Sequence, residues 1–322
     1  MTDPVPLLVD ASVKLAALGL LVWLATRRAG LAQARLAHAA WLGVLAASTA
    51  LPFVTLWIAP STFLVPSHAV RLAVSASLPA PGLTIWMLGG YAVIAIARLL
   101  RLAATAWQIR RLRRNARPVI AGDEQEAALV HACAAHAVVL LETAAIGVPA
   151  TAGVWRPCVF LPQGWRDLEP GLVAAIVRHE LAHVRRLAYA TIVGAEIVKA
   201  LFWFHPVAWL ACARLRWFEE LACDRSAAGD DPLRYARALV AVARLQSDRP
   251  PALALSGGSH LARRIDVLVG APRVSPWWAG AALALALALL PLLPFVRFAL
   301  SAAPVSMPVN DHSAVHALRH GH

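Results

Sequence analysis

Four runs of about twenty apolar residues restrict this chain more than any other feature: Leu7 to Thr26, His38 to Ala59, Leu83 to Trp107 and Trp277 to Leu300. A bilayer core of ~30 Å accepts a helix of that length, because helical hydrogen bonding satisfies the backbone without water. Only 15% of the 322 residues are charged, against about 25% in soluble domains. The reading is a mainly α, polytopic helical membrane protein. Asp10 and Lys14 interrupt the first run, and acidic Asp3 stands where a cleaved signal would carry positive charge.

The net charge of +12 comes almost wholly from arginine, since Lys14 and Lys199 are the only lysines. Arginines gather beside the apolar runs without interleaved aromatics, so snorkelling explains them and direct nucleic-acid binding is not expected. Arg27, Arg28 and Arg35 follow the first run, Arg71 stands alone after the second, and Arg110, Arg111, Arg113, Arg114 and Arg117 follow the third. By the positive-inside rule the N-terminus lies outside a cell (inner) membrane, and the segment after Arg110 is cytoplasmic.

Expected organisation follows. Residues 1–109 form a membrane domain with three spans, 110–275 a cytoplasmic domain, 276–300 a last span, and 301–322 a short extracytoplasmic tail. In the cytoplasmic segment, Asp123 to His136 reads as a helix and Val138 to Glu142 as a strand. Ala150 to Val154 reads as an edge strand to which an extended peptide could add. Tyr189 to Leu215 is apolar but holds Glu196, Lys199 and the breaker His205-Pro206. It reads as two helical arms in or against the membrane that return to the same side. Asp231-Pro232 opens a further helix through Gln246, and Leu261 to Val269 is a short basic amphipathic helix. Cys133, Cys158, Cys212 and Cys223 are dispersed, as expected of buried thiols in a reducing compartment.

Within the cytoplasmic segment, His179-Glu180-Leu181-Ala182-His183 is an HExxH motif in a helix-patterned run. Residues four apart share a helix face, so both imidazoles can address one ion, with Glu180 beside them. A catalytic zinc takes three protein ligands and a water. Third-ligand candidates on the correct side are Glu219, Glu220, Asp224 and His205. Glu220 has the reach, and Asp224, one turn on, can accept from the outer nitrogen of a ligating histidine. Glu219 reads as a solvated helix residue and His205 as a structural histidine, although the one-residue choice between Glu219 and Glu220 stays open. In such a site Zn2+ acidifies water, and Glu180 takes the proton and passes it to the leaving amine.

The ordered set His179 to Arg186, Trp203-Phe204-His205-Pro206 and Glu220-Leu221-Ala222-Cys223-Asp224, preceded by Gly153-Val154-Trp155-Arg156-Pro157 and Phe160-Leu161-Pro162, resembles the β-lactam sensor/methicillin-resistance signal transducer family of membrane zinc metallopeptidases. The resemblance covers the peptidase portion and implies a zincin-like α+β metallopeptidase domain next to the membrane. It implies His179, His183 and Glu220 as zinc ligands and Glu180 as catalytic base. Family members act in signalling that leads to loss of a DNA-binding repressor. The expected function is therefore a zinc endopeptidase cutting a cytoplasmic protein, with a winged-helix repressor as candidate partner. A heat-shock-type quality-control protease and a non-catalytic membrane receptor or scaffold are the alternatives. Ala188 stands where many relatives have Asp, and Ser301 to His322 replaces a large sensor domain, so β-lactam sensing by that route is not expected. The tail histidines His312, His316, His320 and His322 read as part of a disordered polar end.

Overall fold

A computed structural model describes residues 4–57, 81–247 and 258–270. The expected span from Trp277 and the tail from Ser301 lie outside the described residues.

The first two apolar runs form α1 (Pro4–Thr26) and α2 (Ala34–Trp57), which pack on each other through Leu15, Val22, Trp41 and Val44. The indole of Trp41 donates to Thr26 Oγ1 at 3.1 Å, and that hydroxyl donates to the Val22 carbonyl at 2.7 Å. Neither polar group is left unpaired inside an apolar pair of helices, which would be expensive.

Pro81–Asn115 is one unbroken helix, α3, running past the apolar stretch into the basic cluster. Its segment Ile85–Asn115 is long and apolar enough to cross a membrane, and 6% of its apolar window is buried by protein. Trp86 and Val93 are 79% and 67% exposed, so this surface is matched to lipid or to another apolar partner far better than to water. Tyr91 anchors α3 by donating to the Leu201 carbonyl at 2.8 Å. Among the described residues no other helix passes that spanning test; Ala11–Thr26 is apolar but shorter.

The domain that follows begins with β1 (Arg117–Pro118) and α4 (Glu124–Ala134). Asp123 caps α4, its carboxylate accepting from the Glu126 amide at 2.7 Å. Next come β2 (Val139–Thr143), β3 (Ala150–Ala152) and β4 (Cys158–Pro162). The sheet order is β1-β2-β4-β3, with β2 and β4 parallel and both outer pairs antiparallel. β3 is thus an edge, as its small residues led us to expect. Gly153 turns the chain into β4 at φ 96°, where a Cβ would stand 2.7 Å from the Arg156 carbonyl oxygen.

β4 is buried throughout and supports α5 (Pro170–Arg185), the HExxH helix. Pro170 starts α5 at a position that needs no amide donor, and Val173, Val177 and Leu181 bury one stripe against the sheet. Leu187, in the left-handed region at φ 54°, ends the helix and redirects the chain into α6 (Ala188–Leu201).

The apolar stretch through Pro206 does divide in two. After α6, His205 caps α7 (Pro206–Ala228), its Nδ1 accepting from the Val207 amide at 3.3 Å. His205 is therefore structural. The first half of α7 joins the core of α1 and α2 through Val207, Ala211 and Leu215. Gly19 makes room for it, since a Cβ there would lie 2.8 Å from Val207. The second half of α7 faces α5. Finally, α8 (Pro232–Ser247), capped by Asp231 on the Arg234 amide at 2.9 Å, and α9 (Gly258–Val269) close over this pair.

Candidate metal centre

α5 and α7 bring three expected residues to one point. Nε2 of His179 and Nε2 of His183 are 3.1 Å apart, and each lies 3.6 Å from a carboxylate oxygen of Glu220. Donors at about 2.0–2.1 Å from a tetrahedral ion stand roughly 3.3 Å from one another. The two imidazole nitrogens stand close to that spacing, and the carboxylate faces both of them, Oε2 toward His179 and Oε1 toward His183, so the donor chemistry of the three residues suits a divalent metal. The Glu220 side chain keeps 37% of its surface exposed, so the donor cluster is not sealed from outside.

The hydrogen bonds around His179 fix its tautomer. Tyr235, on α8, has one hydroxyl proton, and its oxygen lies 2.7 Å from both Asp224 Oδ1 and His179 Nδ1. A buried, ionised Asp224 can only accept, so the phenol donates to it and receives the Nδ1 proton of His179. Nε2 then presents its lone pair to the centre. Asp224 Oδ1 also lies 3.3 Å from Nδ1. Asp224 was expected to support a histidine; the structure adds that Tyr235 carries much of that support. Burial and the Asp224 carboxylate push the Tyr235 hydroxyl well above its usual pKa, keeping it a donor.

Arg264 of α9 completes this side. Its guanidinium donates through Nε to Asp224 Oδ2 at 2.8 Å and through Nη2 to Oδ1, while Nη1 sits 3.0 Å from Glu220 Oε2. Burial alone would raise the Glu220 carboxyl, but His179 and Arg264 outweigh it and hold the group ionised, well below the usual carboxylate range. An anionic ligand is what a cation requires.

Glu180 is buried beside His179 on α5. Thr151, in the middle of edge strand β3, donates from Oγ1 to Glu180 Oε2 at 2.6 Å and lies 3.2 Å from the Glu180 carbonyl. The contact aims the carboxylate and leaves Oε1 unshared with Thr151. It also couples the acid to an outer strand of the sheet.

Glu219 corrects an expectation. It is not a solvated helix residue: it is 2% exposed. Arg186 donates to both its oxygens at 2.9 and 3.0 Å, and His38 Nε2 of α2 lies 2.8 Å from Oε2. His183, Glu219 and Cys223 also come close enough to hold an ion. Arg186 and His38 already occupy the Glu219 carboxylate, however, so the His179, His183 and Glu220 set is the better-formed site. All four cysteines are free and buried.

Reasoning from the sequence did not find Thr151, Tyr235, Arg264, Arg186 or His38. Thr151 fell within the expected edge strand and Arg264 within the basic helix, but neither pattern points a side chain at α5.

An HExxH helix against a small sheet, with an acidic third donor from a second helix, defines a metallopeptidase-type centre. The chain belongs to the family described as BlaR1 peptidase M56, whose match spans residues 6–268. It is 24% identical over 205 residues to Regulatory protein BlaR1 of Bacillus licheniformis, across 60% of this chain and 33% of that protein. The match thus takes in about a third of that relative's length.

Proposed function

We propose that this protein is a membrane-embedded zinc endopeptidase that cuts a cytoplasmic protein in signal-responsive control of transcription. The observation that carries the reading is the meeting of His179, His183 and Glu220 donor atoms beside a Glu180 carboxylate oriented by the edge strand. His179, His183 and Glu220 would hold the zinc, whose bound form supplies a Lewis acid that polarises the scissile carbonyl and acidifies water toward a pKa of ~7.

The protein's own groups do the rest. Edge strand β3 pairs with an extended stretch of substrate through backbone hydrogen bonds, setting the scissile bond over α5. Glu180 takes the proton of the attacking water on Oε1, with Oε2 held by Thr151, and delivers it to the departing amine nitrogen. Tyr235 and Asp224 hold His179 in the ligating tautomer throughout.

Membrane placement follows the charge pattern. α1, α2 and α3 cross the bilayer with the N-terminus outside, and the basic end of α3 delivers the peptidase domain to the cytoplasm. The regulatory name of the Bacillus licheniformis relative supports a signalling role, and a winged-helix repressor is the substrate class we favour.

The test is zinc content and cleavage of candidate repressors by the full chain in detergent micelles, compared with Glu180→Gln. The variant is expected to retain zinc and lose cleavage. Equal cleavage by both proteins would remove Glu180 from the reaction and the endopeptidase reading with it.

A further inference from the structure

The outer nitrogens of the two motif histidines are served by separate machinery. That of His179 is held by Tyr235 and Asp224, from α8 and α7. That of His183 faces the opposite way. Its Nδ1 lies 3.3 Å from the Cys223 thiol and 4.0 Å from Glu219 Oε1, and the thiol donates to that same oxygen at 3.7 Å. A single order of protons satisfies the chain: Nδ1–H to sulfur, S–H to carboxylate. That order keeps Nε2 of His183 unprotonated and turned toward Glu220.

Glu219, the terminus of this chain, does not stand alone. Arg186 at the end of α5 grips both oxygens, and His38 of α2 closes on Oε2 at 2.8 Å. Both Glu219 and His38 are buried, and α2 lies against the same α7 that carries Glu219 and Cys223. A carboxylate rotates about its last bond unless something fixes its plane. Arg186 fixes it from the side of α5 with two hydrogen bonds, and His38 Nε2 stands 2.8 Å from Oε2 on the side of the α1–α2 pair as a close charge contact.

We propose that His38 is a positioning residue for the metal ligand His183. Acting through Glu219 and Cys223, it makes metal affinity depend on the seat of α2 against α7. The inference rests on the zinc-peptidase reading. It deepens that reading by giving a helix of the apolar α1–α2 pair a side-chain connection to the centre. His38 touches neither substrate nor ion. Its effect is therefore on ligand alignment, and it would appear in metal binding before any bond is cut.

The experiment measures zinc affinity of the full-length protein in detergent micelles by competition with a chromophoric chelator, together with the visible spectrum after cobalt substitution. Wild type is expected to bind one zinc and Glu220→Ala to lose it. His38→Leu should bind zinc about 10-fold or more weakly, the size expected when support behind a ligating histidine is removed, with unchanged far-ultraviolet circular dichroism. His38→Gln, whose amide nitrogen sits where Nε2 was, should recover most of the affinity and the wild-type cobalt spectrum. Wild-type affinity in His38→Leu would overturn the proposal. So would a His38→Gln protein as weak as His38→Leu, which would mean that packing rather than the contact to Glu219 matters. Absence of zinc binding in wild type would instead overturn the metal reading beneath it. Should His38→Leu not fold, Cys223→Ala breaks the same chain at its other end. A similar loss of affinity there supports the proposal, and undiminished affinity overturns it.

Discussion

The phenolic oxygen of Tyr235 lies 2.7 Å from Nδ1 of His179, across 56 residues of chain. This contact decides which imidazole nitrogen is free to bind an ion. Tyr235→Phe removes the acceptor while leaving the ring in place, and Asp224 remains 3.3 Å from Nδ1 as partial support. Zinc affinity is expected to fall about tenfold, read by chelator competition. An unchanged affinity would show that Asp224 suffices alone.

Thr151 provides a kinetic test of how Glu180 is aimed. Thr151→Val keeps the shape of the side chain and removes the hydrogen bond to Oε2. A hydrogen bond to a charged group contributes about 1.5–3 kcal/mol, so kcat should fall roughly 10- to 100-fold. Zinc content should be unchanged, and Thr151→Ser should restore much of the rate. Loss of zinc in Thr151→Val would assign the residue to the fold instead.

Arg264 ties α9 to α7 through Asp224, which is fully buried. Arg264→Met leaves that carboxylate without its cation, a change that destabilises by about 3–5 kcal/mol in comparable buried pairs. Hydrogen exchange should report it locally, as faster exchange of amides in 258–269 than elsewhere in the domain. Uniform protection across that helix would show that apolar packing alone holds it.

Acid should weaken the Glu219 junction in a defined direction. Burial would raise this carboxyl, yet His38 and Arg186 bring it down from 4.5 to about 2. A folded pKa below the unfolded one stabilises the protein fully above pH 4.5 and does so progressively less as pH falls toward 2. Glu219→Gln should therefore be less stable than wild type near neutrality, and the gap in thermal midpoint should narrow below pH 4.5. A constant gap across that window would contradict the junction.

Much of the local architecture could be read from residue order. Asp231-Pro232 was legible as a helix start, because proline's fixed φ and missing amide proton suit the first helical position; Pro206, read as the break between two arms, and Pro170 start helices in the same way. The HExxH spacing needed only a helix to bring its histidines together, and the run Ala174 to Arg178 with Leu181-Ala182 pointed to one, which the structure forms with Val173, Val177 and Leu181 against the sheet. Glu220 and Asp224 were recognisable because one turn separates them. Glu219 was misread because one residue along a helix turns the side chain by about 100°, and spacing alone does not say what packs in that direction. Only the arrival of Arg186 and His38 made that face buried and charged.

Residue order by itself determined the helices and the pairing of the two histidines, because each of these follows from spacings of three or four residues; that an acid joins them was legible only through the resemblance. The tertiary structure decided which tautomer each histidine adopts, which oxygen of Glu180 is held, and which carboxylate is spent on an ion pair. Those outcomes depend on Tyr235, Thr151, Arg264 and His38, which approach from other elements. No local periodicity encodes where a distant helix or strand will rest, since that is set by the packing of whole apolar faces.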